Sequence, residues 1–88
     1  MTKNEIVAMF MGYTITPITD LTGYYLKYDN LMPAWEKFRD LKFATNVQQS
    51  IYHNELCDEI SWTITHGTIT EAFDELVKGI IWYQSLQK

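Results

Sequence analysis

Apolar positions follow a helical period at both ends of this chain and change period between them. The strongest pattern runs from Thr68 to Leu86. At about 100° per residue, Ala72, Tyr83, Leu76, Ile69, Ile80, Phe73 and Val77 fall within an arc of roughly 140°, and Glu71, Asp74, Glu75 and Lys78 fall opposite. Thr68 and Glu71 have the spacing of a capping box, in which hydroxyl and carboxylate satisfy orphan backbone amides reciprocally. Gly79 interrupts this helix at a cost of about 1 kcal/mol against alanine. Its place at the edge of the apolar arc predicts a close neighbour. Trp82 projects into the polar face, about one turn from Lys78.

The same logic predicts a short helix over residues 2–11. Thr2 and Glu5 repeat the capping-box spacing, Ile6, Met9 and Phe10 make one face, and Gly12 suits a left-handed stop. Over residues 13–28 the period shortens. Tyr13, Ile15 and Ile18 alternate with threonines, Pro17 confines that run to an edge, and a turn at Asp20–Gly23 leads into Tyr24–Tyr28. This reads as a β-hairpin with Tyr24 and Tyr28 on one face and Tyr25 on the other. A second helix is predicted over 30–42, capped by Asp29 or Asn30 with Pro33 in its first turn. Its core stripe is Leu31, Ala34, Trp35, Phe38 and Leu41.

Residues 46–66 support two readings. A helix from Thr45 or Asn46 aligns Tyr52, Leu56, Ile60 and Ile64, with Gly67 as its left-handed terminator. Local β propensity favours a third strand over 60–66. The helix is preferred because the apolar face continues through Tyr52 and Leu56. The expected fold class is therefore α+β and mainly helical: an N-terminal helix, a hairpin at about 13–28, then helices at about 30–42, 46–66 and 68–86, in a single domain spanning 1–88.

Composition narrows the function classes. The chain has 88 residues, 47% of them hydrophobic and 20% charged, which suits one compact core and argues against disorder. Its net charge of −4 argues against a nucleic-acid phosphate binder, which needs a basic face. No apolar run approaches the ~20 residues of a membrane span. The first residues, with an early acid and a short apolar run, do not read as a signal peptide. A single cysteine, Cys57, offers no disulfide framework, and the simplest compartment is a reducing cytoplasm.

Candidate chemistry is sparse. His53 and Cys57 are one helical turn apart, and His66 is the remaining residue type that could complete a zinc site. On one continuous helix, however, His66 stands more than three turns from His53, and no paired ligand motif exists. The bland reading is a surface histidine and a half-buried thiol. Nothing marks an oxyanion hole or an activated thiolate beside Cys57, and Glu55, Asp58 and Glu59 read as a solvated acidic face. No enzyme activity and no cofactor are expected. The more informative residues are aromatic. Trp82 and Tyr25 fall outside the predicted core stripes, and such side chains are enriched at binding hot spots.

Two stretches carry a resemblance: Leu31-Met-Pro-Ala-Trp-Glu-Lys-Phe38, and Ile69-Thr-Glu-Ala-Phe73 continuing through Leu76-Val-Lys-Gly-Ile-Ile-Trp-Tyr-Gln84. With Phe10-Met11-Gly12 they resemble small uncharacterised proteins of Bacteroidetes and their phages, similar to the phage ABA-sandwich domain group. The resemblance covers the opening and closing thirds of the chain and thins between residues 43 and 66. It implies a phage or prophage origin and a mixed α/β fold, and it carries over no catalytic residues. The expectation is a small cytoplasmic accessory protein acting by protein–protein contact. Its partner is an unknown protein or a second copy in a homodimer, with Trp82 and Tyr25 as contact residues. The alternative is a small metal-binding or enzymatic domain using His53, Cys57 and His66.

Overall fold

The computed structural model describes residues 1–16, 18–43 and 46–87. Four α-helices follow in order: α1 (Lys3–Phe10), α2 (Tyr28–Arg39), α3 (Val47–His66) and α4 (Ile69–Ser85), with a short 3-10 turn at Tyr24–Leu26 before α2. No strand occurs among the described residues, so the chain is all-helical there. This corrects the expected α+β class, the hairpin and the mixed α/β fold implied by the resemblance. No helix among the described residues is long and apolar enough to cross a membrane.

α4 is the central element, and α1, α2, α3 and the 3-10 turn all pack on it. The predicted arc is the buried one, because Ala72, Phe73, Leu76, Val77 and Ile80 all lie in the core. Both capping boxes form, at Thr2–Glu5 and at Thr68–Glu71. Gly12 takes a φ of 90°, the left-handed conformation that ends α1. Gly79 meets the close neighbour its position predicted. A Cβ there would come within 2.7 Å of Phe38 Cζ. A bare backbone at position 79 therefore lets the Phe38 ring lie flush against α4.

Residues 13–28 close their backbone bonds locally instead of across a hairpin. Thr16 N–H donates to the Thr19 hydroxyl and Thr19 N–H to the Thr16 carbonyl. Thr22 N–H donates to the Asp20 carboxylate at 3.0 Å, and Tyr24 N–H to the Leu21 carbonyl at 2.9 Å. Tyr25 N–H donates to the Asn4 side chain of α1 at 3.2 Å. A two-stranded hairpin alone is marginal in water. Turning at Gly23 instead lets the chain bury the whole Tyr25 ring, which is 1% exposed. Pro17, the expected edge-strand residue, lies outside the described residues.

The second helix differs from its expected span of 30–42 at both ends, stopping at Arg39 so that Leu41 lies beyond it. α2 begins at Tyr28 with Lys27 at its cap and no capping side chain, so the expected caps Asp29 and Asn30 lie inside the helix, where the Asn30 NH2 donates to the Tyr24 carbonyl at 2.9 Å. Pro33 therefore falls in the second turn. α3 starts at the Asn46 cap, with Thr45 outside the described residues, and runs unbroken through 60–66. The third-strand alternative fails there. Ile60 and Thr63 turn inward together at helical spacing, and the Thr63 and Thr65 hydroxyls donate back to the Ile60 and Ser61 carbonyls. Gly67 ends α3 in an extended conformation rather than the left-handed one expected.

Candidate functional site

His53 is not a surface residue. It is 4% exposed, with its ring between Phe38 and Phe43 at centroid distances of 5.0 and 4.9 Å. Its Nε2 lies 2.8 Å from the Phe38 carbonyl. A carbonyl only accepts, so Nε2 carries the hydrogen and donates it. The side chain thus gives a second donor to a carbonyl in the last turn of α2, which also accepts from Leu41 N–H at 3.2 Å, and ties α3 to that end. The Cys57 sulfur sits 3.5 Å from the same nitrogen and 3.9 Å from Nδ1.

The neighbouring thiol is quiet. Burial pushes Cys57 up to about 11, with Asp58 adding to the rise and Arg39 opposing it. The thiolate is the reactive species, so a rise of about two units leaves roughly a hundredth of the ordinary thiolate fraction near pH 8. Alkylation of Cys57 by iodoacetamide at pH 8 is therefore expected to run about a hundredfold slower in the folded protein than in urea. Equal rates would contradict the occluded environment.

His66 lies far from this pair. Thirteen helical positions separate it from His53, roughly 20 Å along α3. It stacks instead on Trp62, with centroids 5.3 Å apart and rings inclined by 24°. Among the described residues, no group of three or more histidine, cysteine or acidic side chains is placed to hold a metal ion. His53, Cys57 and His66 do not form one centre.

The two aromatic contact residues are also redistributed. Tyr25 is core and presents no surface. Trp82 is half-buried against its own chain, 4.9 Å from the Tyr52 ring and 5.5 Å from that of Phe43. It seals the seam between α3 and α4. The part of the α4 polar face that carries Trp82 is thus covered by Tyr52 of α3 and by Phe43, contacts that a projection of one helix alone does not contain.

The exposed aromatic that sequence reasoning passed over is Trp62, 58% exposed on the outer face of α3. The buried stripe of α3 is His53, Leu56, Ile60 and Thr63, while Tyr52 lies outside it. With that inner stripe known, Val47, Ile51, Asp58 and Trp62 share an outward arc of about 60°. Val47 is 74% and Ile51 53% exposed. A helical projection of 47–66 centred on His53 would have found them.

Beside Trp62, a groove of about 260 Å³ between α3 and α4 is lined by Glu59, Thr63 and Glu75. One carboxylate oxygen of Glu75, Oε2, is buried there without a hydrogen bond, and Lys78 Nζ stands 4.0 Å from it. Burial raises the Glu75 carboxyl above its ordinary range, Lys78 opposes this, and Glu59 and Asp74 add to the rise. The groove is an acidic environment short of positive charge. No known protein family, curated protein or solved structure matches this chain.

Proposed function

We propose that the chain is a non-enzymatic docking domain that binds a basic protein segment along the outward face of α3. The observation that carries this reading is Trp62, a large aromatic exposed beside an under-neutralised acidic groove. A lysine or arginine entering that groove would lie over an indole and between two carboxylates, combining cation–π and charge-assisted contacts. His66 stacked on Trp62 holds the indole in place beforehand, which lowers the ordering cost of binding.

The rest of the face supports the same partner. α3 carries Glu55, Asp58 and Glu59 and contains no lysine or arginine. Val47 and Ile51 supply an apolar end, roughly 20 Å from Trp62. A matching segment has apolar anchors flanking a basic centre. A second copy of this chain fits poorly. In a two-fold antiparallel pairing about the middle of this face, Glu55 would lie close to its own counterpart and Asp58 opposite Ile51 of the other copy, and both a like-charge contact and a carboxylate against an apolar side chain are costly. The phage setting implied by the sequence resemblance enters only as the place to seek the partner.

The test is a photo-crosslinker at Thr65, exposed on the outward face of α3 and three residues from Trp62, with one at the exposed Glu36 of α2 as control. One species is expected from position 65 alone, and it should fade with rising salt and with Ile51→Asp. Trp62→Ala should weaken binding of that species about 30-fold, the loss of an aromatic hot spot worth about 2 kcal/mol. Identical captures from both positions, or unchanged affinity in Trp62→Ala, would overturn the reading.

A further inference from the structure

A second surface feature has the opposite sign. A cavity of about 330 Å³ opens where α2 runs into α3, lined by Arg39, Lys42 and Phe43 on one side and by Ser50, His53 and Asn54 on the other. That volume lies at the small end of the range for ligand sites. We propose that this cavity binds a phosphate dianion, either free or as the headgroup of a small phosphomonoester.

The lining residues make the case in chemical terms. The chain as a whole carries −4, yet two of its seven cationic side chains converge on this one concavity. The usual account of cations near a helix C-terminus is complementarity to the helix dipole, which fades within the last turn. Arg39 lies in that turn, but Lys42 lies three residues beyond the helix end. Lys37, also in the last turn, is already committed to the Phe10 carbonyl and the face of the Phe10 ring.

Arg39 is held by Asp40 through Nε alone, at 3.2 Å, which leaves its two Nη groups to form a fork toward an oxyanion. Ser50 and Asn54, one turn apart on α3, add a hydroxyl and a carboxamide, the neutral donors that fix a phosphate's orientation. His53 cannot swing away, because its Nε2–H is tied to the Phe38 carbonyl and its ring is wedged between two phenylalanines. The floor is therefore rigid while the cations at the rim are free to close. Phe43 offers an aromatic wall for the organic part of a monoester.

This site borders the outward face of α3, because Asn54 stands one turn from Ile51 and Asp58, but it shares no residue with the surface used by the proposed docking partner, and each is tested by its own variants. The test titrates the intact protein with sodium phosphate, against sodium chloride at matched ionic strength, and follows backbone amide shifts. Saturable shifts confined to Lys42, Ser50, Asn54 and their neighbours are expected with phosphate. Arg39→Ala combined with Lys42→Ala should weaken them at least about tenfold, as expected for loss of charge-assisted hydrogen bonds. Lys78→Ala, on α4, should leave them unchanged. Both cations are exposed and the Arg39–Asp40 ion pair is a surface pair, so the fold should survive, as circular dichroism would register. Phenyl phosphate binding more tightly than phosphate identifies a monoester as the ligand class, and equal affinity identifies free phosphate. Shifts that follow ionic strength in both salts, or phosphate binding unaltered in the double variant, would overturn the proposal.

Discussion

Phe38→Ala is expected to remove about 3–5 kcal/mol of stability, the range for truncating a large buried aromatic. A domain of this size has roughly 4–13 kcal/mol in total, so the variant should be near its folding threshold at ambient temperature. The residue has no exposed surface. Its ring meets Phe10 edge-on at 6.4 Å and His53 at 5.0 Å, and its carbonyl accepts the His53 hydrogen. It also occupies the space that a side chain at position 79 would need. One residue thus joins α1, α2, α3 and α4.

Urea unfolding would measure this effect, and Gly79 provides an internal check. Gly79→Ala alone should destabilise. Its Cβ would press on a ring hemmed in by Phe10 and His53, and overpacking typically costs about 1–3 kcal/mol. In the Phe38→Ala background the obstruction is gone, and the same change should stabilise by up to about 1 kcal/mol through helix propensity. A sign reversal is the expected signature of direct contact. Gly79→Ala acting alike in both backgrounds would mean that the ring does not lie against α4.

The second large effect concerns Tyr25 at high pH. Its phenol is pushed up to about 12, mainly by burial, with Tyr24 and Tyr13 adding to the rise. Its hydroxyl is buried without a hydrogen-bond partner. Below the ordinary value near 10, folded and unfolded chains both hold this proton, and the contribution to stability is complete. Between about 10 and 12 the unfolded chain releases it while the folded chain retains it. The folded state then binds more protons, and stability falls as pH rises. The expected loss is on the order of 1–2 kcal/mol, discounted from the full two-unit linkage for screening in so small a domain.

Tyr25→Phe isolates this term from the other tyrosines and lysines that titrate in the same window. Removing a hydroxyl that has no partner should leave the protein as stable as before at pH 7, or up to about 1 kcal/mol more so. The variant's advantage should then widen between pH 10 and 12. Parallel urea midpoints for the two proteins across that window would contradict the buried, unpartnered phenol.

How much was legible in the residues varied by element, for reasons that can be named. α1 and α4 carry their instructions within a few residues: a capping box at the start, an apolar arc, and for α1 a glycine at the stop. α3 was half legible. Its helical character followed from apolar continuity despite β-prone residues at 60–66, but its orientation was misjudged because His53, a polar residue type, points inward. A histidine becomes a core residue only when something offers its nitrogen a partner, and that partner is a carbonyl fifteen residues earlier. The candidate surface was illegible for the same reason. Trp62 and Ile51 count as outward only once the inward stripe is known, and Arg39 and Lys42 meet Ser50 and Asn54 only once α2 and α3 are joined.

Residues 13–28 show the limit most clearly. Alternating threonines and a tyrosine-rich run satisfy the local criteria for a hairpin, and nothing in their own pattern speaks against one. The outcome depended on bonds from elsewhere: Asn4 of α1 accepting the Tyr25 N–H, and Asn30 of α2 donating to the Tyr24 carbonyl. By itself, then, the amino-acid sequence determined where α1, α3 and α4 start and which face of α4 is buried, because capping and amphipathicity act within one or two turns. Only tertiary structure decided that Tyr25 is core, that Trp82 is covered by Tyr52 and Phe43, that His53, Cys57 and His66 form no common centre, and that a basic cavity lies opposite in sign to the chain. Those outcomes depend on which distant groups complete each residue's packing and hydrogen bonds, and that information is spread across all four helices.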